Sequence, residues 1–104
     1  MPFYKSYSPN SSTSIKVWKI SESYQELLST IVLTNETMQK LNNSKSINRK
    51  REILSVRHLL IKFGLTDADL YYDKLGKPNL TVGKNISITH KKLFSAVIIS
   101  DSKI

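Results

Sequence analysis

The sequence predicts an α+β domain, a small antiparallel sheet with helices packed on one face, and three observations carry the prediction. β-branched and aromatic runs occur near residue 15 and again after residue 70. Three segments with helix-start signals lie between them. The last two extended runs, 85–90 and 94–100, are close enough to pair as a hairpin. With 104 residues the chain holds one domain, 1–104, around one core.

Taken in order, residues 1–14 read as a flexible or edge-lying arm, because Lys5-Ser6-Tyr7-Ser8-Pro9-Asn10-Ser11-Ser12-Thr13-Ser14 is polar and rich in turn formers. Residues 15–20 follow as a short strand, with Ile15 and Val17 on one face and Trp18 and Ile20 on the other. Ser23-Tyr24-Gln25-Glu26 has capping-box spacing, and Leu27, Leu28 and Ile31 recur at helical intervals, so a helix of about ten residues is expected from Ser23. Thr34 offers a second start, with Met38 and Leu41 as its apolar stripe. The longest helix is expected over 46–63, with Ile47, Ile53, Leu54, Leu60, Ile61 and Phe63 inward and Gly64 as the left-handed stop. Its other face is expected to carry Arg49, Lys50, Arg51, Arg57 and Lys62.

The pattern then becomes extended. Leu70-Tyr71-Tyr72-Asp73 reads as a strand and Lys74-Leu75-Gly76-Lys77-Pro78 as a turn, since Gly permits positive φ and Pro fixes its own φ. Residues 85–90 alternate Ile with Ser and Thr, the mark of a half-buried strand. Residues 94–100 form the most apolar strand and are expected to be central, joined to 85–90 by a turn at Lys91-Lys92-Leu93.

Composition narrows the function. The chain has 16 Lys+Arg against 8 Asp+Glu, net +8, and no cysteine. Disulfides and cysteine-ligated zinc are excluded, and a reducing, cytoplasmic setting is expected. Residues 1–44 are nearly balanced at +1, and the remainder holds the other +7. Partners recognised by charge should therefore be acidic: nucleic acid, a phosphate-rich cofactor, an acidic protein or an anionic surface. The longest apolar run, 96–99, is far too short to span a bilayer.

Few residues can carry chemistry. With two histidines and no cysteine, a nucleophile–base pair would have to use His58 or His90. His58 sits within the long helix, whereas His90 ends a strand before Lys91-Lys92. The acids are scattered and form no metal motif, with Asp67 and Asp69 read as cap and turn residues. Glycines 64, 76 and 83 are too dispersed for a phosphate loop, so an anion would have to be held by side chains. Arg57 could grip a phosphate through two hydrogen bonds, and Lys77 is held on a turn that limits the entropy lost on binding.

Four segments in series strengthen that reading. Lys50-Arg51-Glu52-Ile53-Leu54-Ser55-Val56-Arg57-His58-Leu59-Leu60, Tyr71-Tyr72-Asp73-Lys74-Leu75-Gly76-Lys77-Pro78, Ile86-Ser87-Ile88-Thr89-His90 and Ala96-Val97-Ile98-Ile99-Ser100 together resemble the first half of a 4′-phosphopantetheinyl transferase of the larger, two-lobed Sfp type. The resemblance covers about residues 45–100 and is looser before them. It implies one lobe of that fold, in an enzyme that transfers the phosphopantetheine arm of coenzyme A to a serine of an acyl or peptidyl carrier protein with magnesium on the pyrophosphate. It also implies that Arg57, Lys77-Pro78 and Thr89-His90 hold the phosphates of coenzyme A, Thr89 through its main chain.

The sequence departs from the family pattern in two ways. Thr89 and Lys91 stand where serines are common. The metal-binding Gly-x-Asp-x-Glu segment and the later Trp-x-x-Lys-Glu segment are absent, so magnesium ligands and the general base are expected outside this chain, which is expected to be the N-terminal piece of one about twice as long and inactive alone. The C-terminal lobe of the same protein, or a second copy, would then be a partner. The reading from another class is a small basic nucleic-acid-binding or protein-interaction module, using the 46–63 helix as its phosphate-facing surface with Tyr71 and Tyr72 for stacking.

Overall fold

Four strands in the order β1-β2-β6-β5 make the main sheet, and β3 and β4 make a separate two-stranded ribbon, in a computed structural model that describes residues 3–91 and 94–101. Strands β1 (Phe3–Asn10) and β2 (Thr13–Lys19) lead into helices α1 (Tyr24–Ser29), α2 (Asn35–Asn43) and α3 (Ile47–Lys62). A 3-10 turn at Asp67–Asp69 precedes β3 (Leu70–Tyr72), β4 (Pro78–Leu80), β5 (Asn85–Lys91) and β6 (Phe94–Ser100). All pairings are antiparallel. The fold is α+β with helices on one face of a small antiparallel sheet.

Local chemistry sets the helix starts. Ser23 accepts from the Glu26 amide at 3.1 Å while Glu26 accepts from the Ser23 amide at 3.0 Å, a reciprocal capping box. Thr34 caps α2 and Ser46 caps α3 through their hydroxyls. Gly64 follows α3 at φ +82, a conformation that is strained for residues with a Cβ. α1 is shorter than the ten residues its apolar spacing suggests. Its last turn ends at Ser29, and Ile31 and Leu33 pack on the core from the loop beyond.

Strand alternation decides what faces the helices. Trp18, Ile86, Val97 and Ile99 point toward α1 and α3 and join Leu27, Ile53, Leu54, Leu59 and Leu60 in one core. Each such aliphatic burial is worth about 1.5–3 kcal/mol relative to exposure. By register, Ile15, Val17, Ala96 and Ile98 share the opposite face.

Residues 3–10 of the expected arm lie at the sheet's edge as strand β1, paired with β2, because its backbone needs only one neighbour and its polar side chains tolerate exposure. Two expectations change. Ile47 and Ile61 are exposed rather than inward. Arg57, expected on the exposed basic face, is buried, because α3 is enclosed from Ile53 to Leu60 by the sheet, α1 and the 3-10 turn, and half-exposed only at His58. The turn at Lys91-Lys92-Leu93 lies partly outside the described residues. Among the described residues, no helix is long and apolar enough to cross a membrane.

Candidate functional site

Ile86, Ile88 and His90 alternate onto the helix-facing side of β5, so the His90 ring projects toward α2 and α3. A cleft of about 480 Å³ opens there, lined by Lys40 of α2, Arg49 of α3, Tyr72 of β3, Gly76 and Pro78 of the β3–β4 turn, and Ile88 and His90.

The turn is built by Asp73. Its Oδ1 accepts the Leu75 and Lys77 amides, each at 2.9 Å, and its carbonyl accepts the Gly76 amide at 2.9 Å. Gly76 sits at φ +80, which a glycine enters without strain. The Lys77 amide, more than any other contact, holds the Asp73 carboxyl below its ordinary pKa. Pro78 is thereby fixed at the cleft's rim. The Lys77 side chain is exposed and lines an adjoining groove of about 150 Å³ with Lys84, Asn85 and Ser87, so Pro78 borders both hollows.

Arg57 lies beneath the cleft instead of in its lining. Its Nε donates to Asp67 Oδ1 at 3.0 Å, and both side chains are at most 4% exposed. Asp67 also accepts from the Thr34 amide at 2.8 Å and the Thr37 hydroxyl at 3.0 Å, so it braces the start of α2 against α3 rather than simply capping a turn. The Tyr72 ring lies near the Arg57 guanidinium. The Arg57 guanidinium carbon is 5.9 Å from the ring centroid, and Lys40 Nζ is 3.9 Å from it, within cation–π range.

The remaining candidates divide between this cleft and other surfaces. Thr89 is exposed on the opposite face of β5 from His90, so only its main chain lies near the cleft. Lys50 Nζ sits 5.4 Å over the Tyr24 ring, and Arg51 Nε donates to the Glu22 carbonyl at 2.9 Å, which occupies both away from the cleft. Lys91 is exposed, and Lys92 lies outside the described residues. His58 bonds the Leu27 carbonyl through Nε2 at 2.8 Å with its ring 5.5 Å from Trp18, a packing role.

His90 is half-buried, and its Nδ1 lies 3.3 Å from Ser95 Oγ. Burial, and next the charge of Arg49, lowers its pKa from the ordinary value. Glu52 opposes this weakly while pairing with Arg49 at 3.5 Å. With Arg57 neutralised by Asp67, Lys40 and Arg49 supply the positive charge at the cleft wall. The group can hold a small anion through an ammonium, a guanidinium and an imidazole.

Sequence reasoning did not place Lys40, Tyr72 or Ser95 here, and it named Arg49 only as part of a basic face. One signal was available for Arg49, which stands two turns ahead of Arg57 on one stripe of α3. Lys40 carries no such signal, because it sits in the last turn of α2 and only tertiary packing sets that helix beside Tyr72. Among the described residues, no group of three or more His, Asp or Glu is placed to hold a metal. No family model matches the chain, and no curated protein matches it in sequence.

Proposed function

We propose that the cleft between α2, α3 and β5 binds the phosphate groups of coenzyme A and that the chain is a coenzyme A-binding lobe of a 4′-phosphopantetheinyl transferase. The observation that carries the reading is the gathering of Lys40, Arg49 and His90 around one hollow edged by Pro78 and Tyr72. An arginine offers paired N–H donors to phosphate oxygens and a lysine a mobile point charge. Arg57 and Asp67 serve the same site indirectly by fixing the floor on which Tyr72 rests, and Lys77 extends positive charge along the rim.

In the full reaction this reading implies, a serine hydroxyl of a carrier protein attacks the β-phosphorus of coenzyme A. A phosphodiester forms, the bond to the departing nucleotide breaks, and 3′,5′-ADP leaves. This lobe's share is holding and neutralising phosphate charge, the dominant contribution in phosphoryl transfer. Magnesium would be held by residues other than those described. An acidic acyl or peptidyl carrier suits a chain of net charge +8, and the absence of cysteine agrees with a cytoplasmic setting.

Calorimetric titration with coenzyme A and with dephospho-coenzyme A tests the reading. A charge-assisted contact contributes about 1.5–3 kcal/mol, so removing the 3′-phosphate should weaken binding roughly tenfold or more. Equal affinity for the two, or no binding of either, contradicts it. Tighter binding of a single-stranded oligonucleotide, falling steeply with salt, would favour the nucleic-acid module instead.

A further inference from the structure

The helices pack on one side of the main sheet, and among the described residues no helix covers the other. On that open side Ile15 and Val17 of β2 lie directly beside Ile98 and Ala96 of β6, a continuous apolar block that is only half-buried and takes no part in the core. Two aromatic side chains stand at its corners. Tyr7 of β1 lies opposite Ile15 and Phe94 of β6 opposite Lys19, and they are 49% and 41% exposed.

The charge around this block has one sign. Lys19 and Lys91 flank Phe94 from the neighbouring strands, and Lys5 lies opposite Val17, all three exposed. No Asp or Glu lies on any of the four strands. Asp101, just beyond β6, pairs with Lys84 at 3.4 Å and lines a hollow with Phe63 and Ile99 on the helix side. An apolar middle with exposed aromatics and a charged rim is the anatomy of a protein interface.

The chemistry of the face selects its occupant. The backbone groups of β2 and β6 are already paired on both edges, so a partner must engage side chains, and a helix with one apolar stripe is the element that covers such a sheet face. A helix is about 10 Å wide, enough to lie on β2 and β6 with its flanks over β1 and β5. The seven-residue strands span about 23 Å, the length of a helix of about fifteen residues. Acids on its flanks would meet Lys19, Lys91 and Lys5. A second copy of the chain brings only lysines to the contact and buries no complementary charge. A bilayer would have to reach aliphatic side chains that are half-sunk in the pleat. We infer that the open face of the sheet docks an acidic amphipathic helix of another polypeptide, at a surface separate from the cleft beside His90.

Heteronuclear NMR of the whole chain, titrated with a fifteen-residue helical peptide carrying leucines on one face and glutamates on the others, tests this. Shifts should centre on the amides of Val17, Ala96 and Ile98, and a peptide with lysine in place of each glutamate should leave them unmoved. Lys19→Glu combined with Lys91→Glu changes two exposed side chains, so the fold should stand while affinity for the acidic peptide falls roughly tenfold. Equal binding of the two peptides, shifts confined to the cleft, or none at millimolar peptide would overturn the assignment. So would tighter binding of phosphatidylglycerol vesicles or of a single-stranded oligonucleotide at this face, or self-association through it in light scattering.

Discussion

Arg57 and Asp67, ten residues apart, form a buried ion pair that joins α3 to the turn before β3, Nε to Oδ1 at 3.0 Å. Removing one partner strands the other charge in the core. Asp67→Ala should therefore lower stability by about 3–5 kcal/mol, and a double replacement by leucines should recover much of that. Urea denaturation of both variants checks it. A single variant within about 1 kcal/mol of wild type would show that the pair does not hold this corner together.

Lys40 and Arg49 should separate binding from folding. Arg49 is exposed and its pair with Glu52 is an i,i+3 surface contact, so Arg49→Ala should change stability by no more than about 1 kcal/mol. The same change should weaken coenzyme A binding by roughly tenfold, as should Lys40→Ala. Unchanged affinity in both variants would remove them from the site.

The turn is the third test. Asp73→Ala deletes the acceptor that gathers the Leu75 and Lys77 amides, and should leave the fold standing while weakening ligand binding severalfold by loosening Gly76 and Pro78. Calorimetry beside a thermal melt reads the two effects separately. A loss of affinity matched by global unfolding would assign the turn to stability alone.

Stability should also depend on pH through His90. Its folded pKa lies below the ordinary value of 6.5, so above that value neither folded nor unfolded chain is charged there and the group contributes nothing. As pH falls below 6.5 the unfolded chain takes up its proton first, and stability declines until the pH passes below the folded pKa. Urea midpoints between pH 8 and 5 should fall more in wild type than in His90→Gln. Parallel curves would contradict the burial of the ring.

The fold was legible where local chemistry and tertiary packing agree. The Ser23 and Thr34 caps, the long helix ending at Gly64, the Gly76 turn and the central place of 94–100 all follow from short-range signals that packing leaves intact. Strand β1 was not legible, because an edge strand can be polar on both faces and still pair. The site was half legible. His90 and Pro78 stand out by their position at a strand end and on a turn, whereas Arg57 misleads. A lone charge on a helix reads as exposed, and only the long-range partner Asp67 makes its burial tolerable. Lys40 reaches the cleft from the last turn of α2 through the packing of that helix, and no spacing rule anticipates that.

The most direct measurement is a heteronuclear NMR titration of the protein with coenzyme A, following backbone amides together with arginine Nε–H and histidine ring signals. The account predicts that the largest shifts cluster on Lys40, Arg49, Pro78-flanking amides and the His90 ring, with Arg57 Nε–H little changed because it stays bonded to Asp67. Shifts concentrated on a different surface, or none at millimolar ligand, would contradict it.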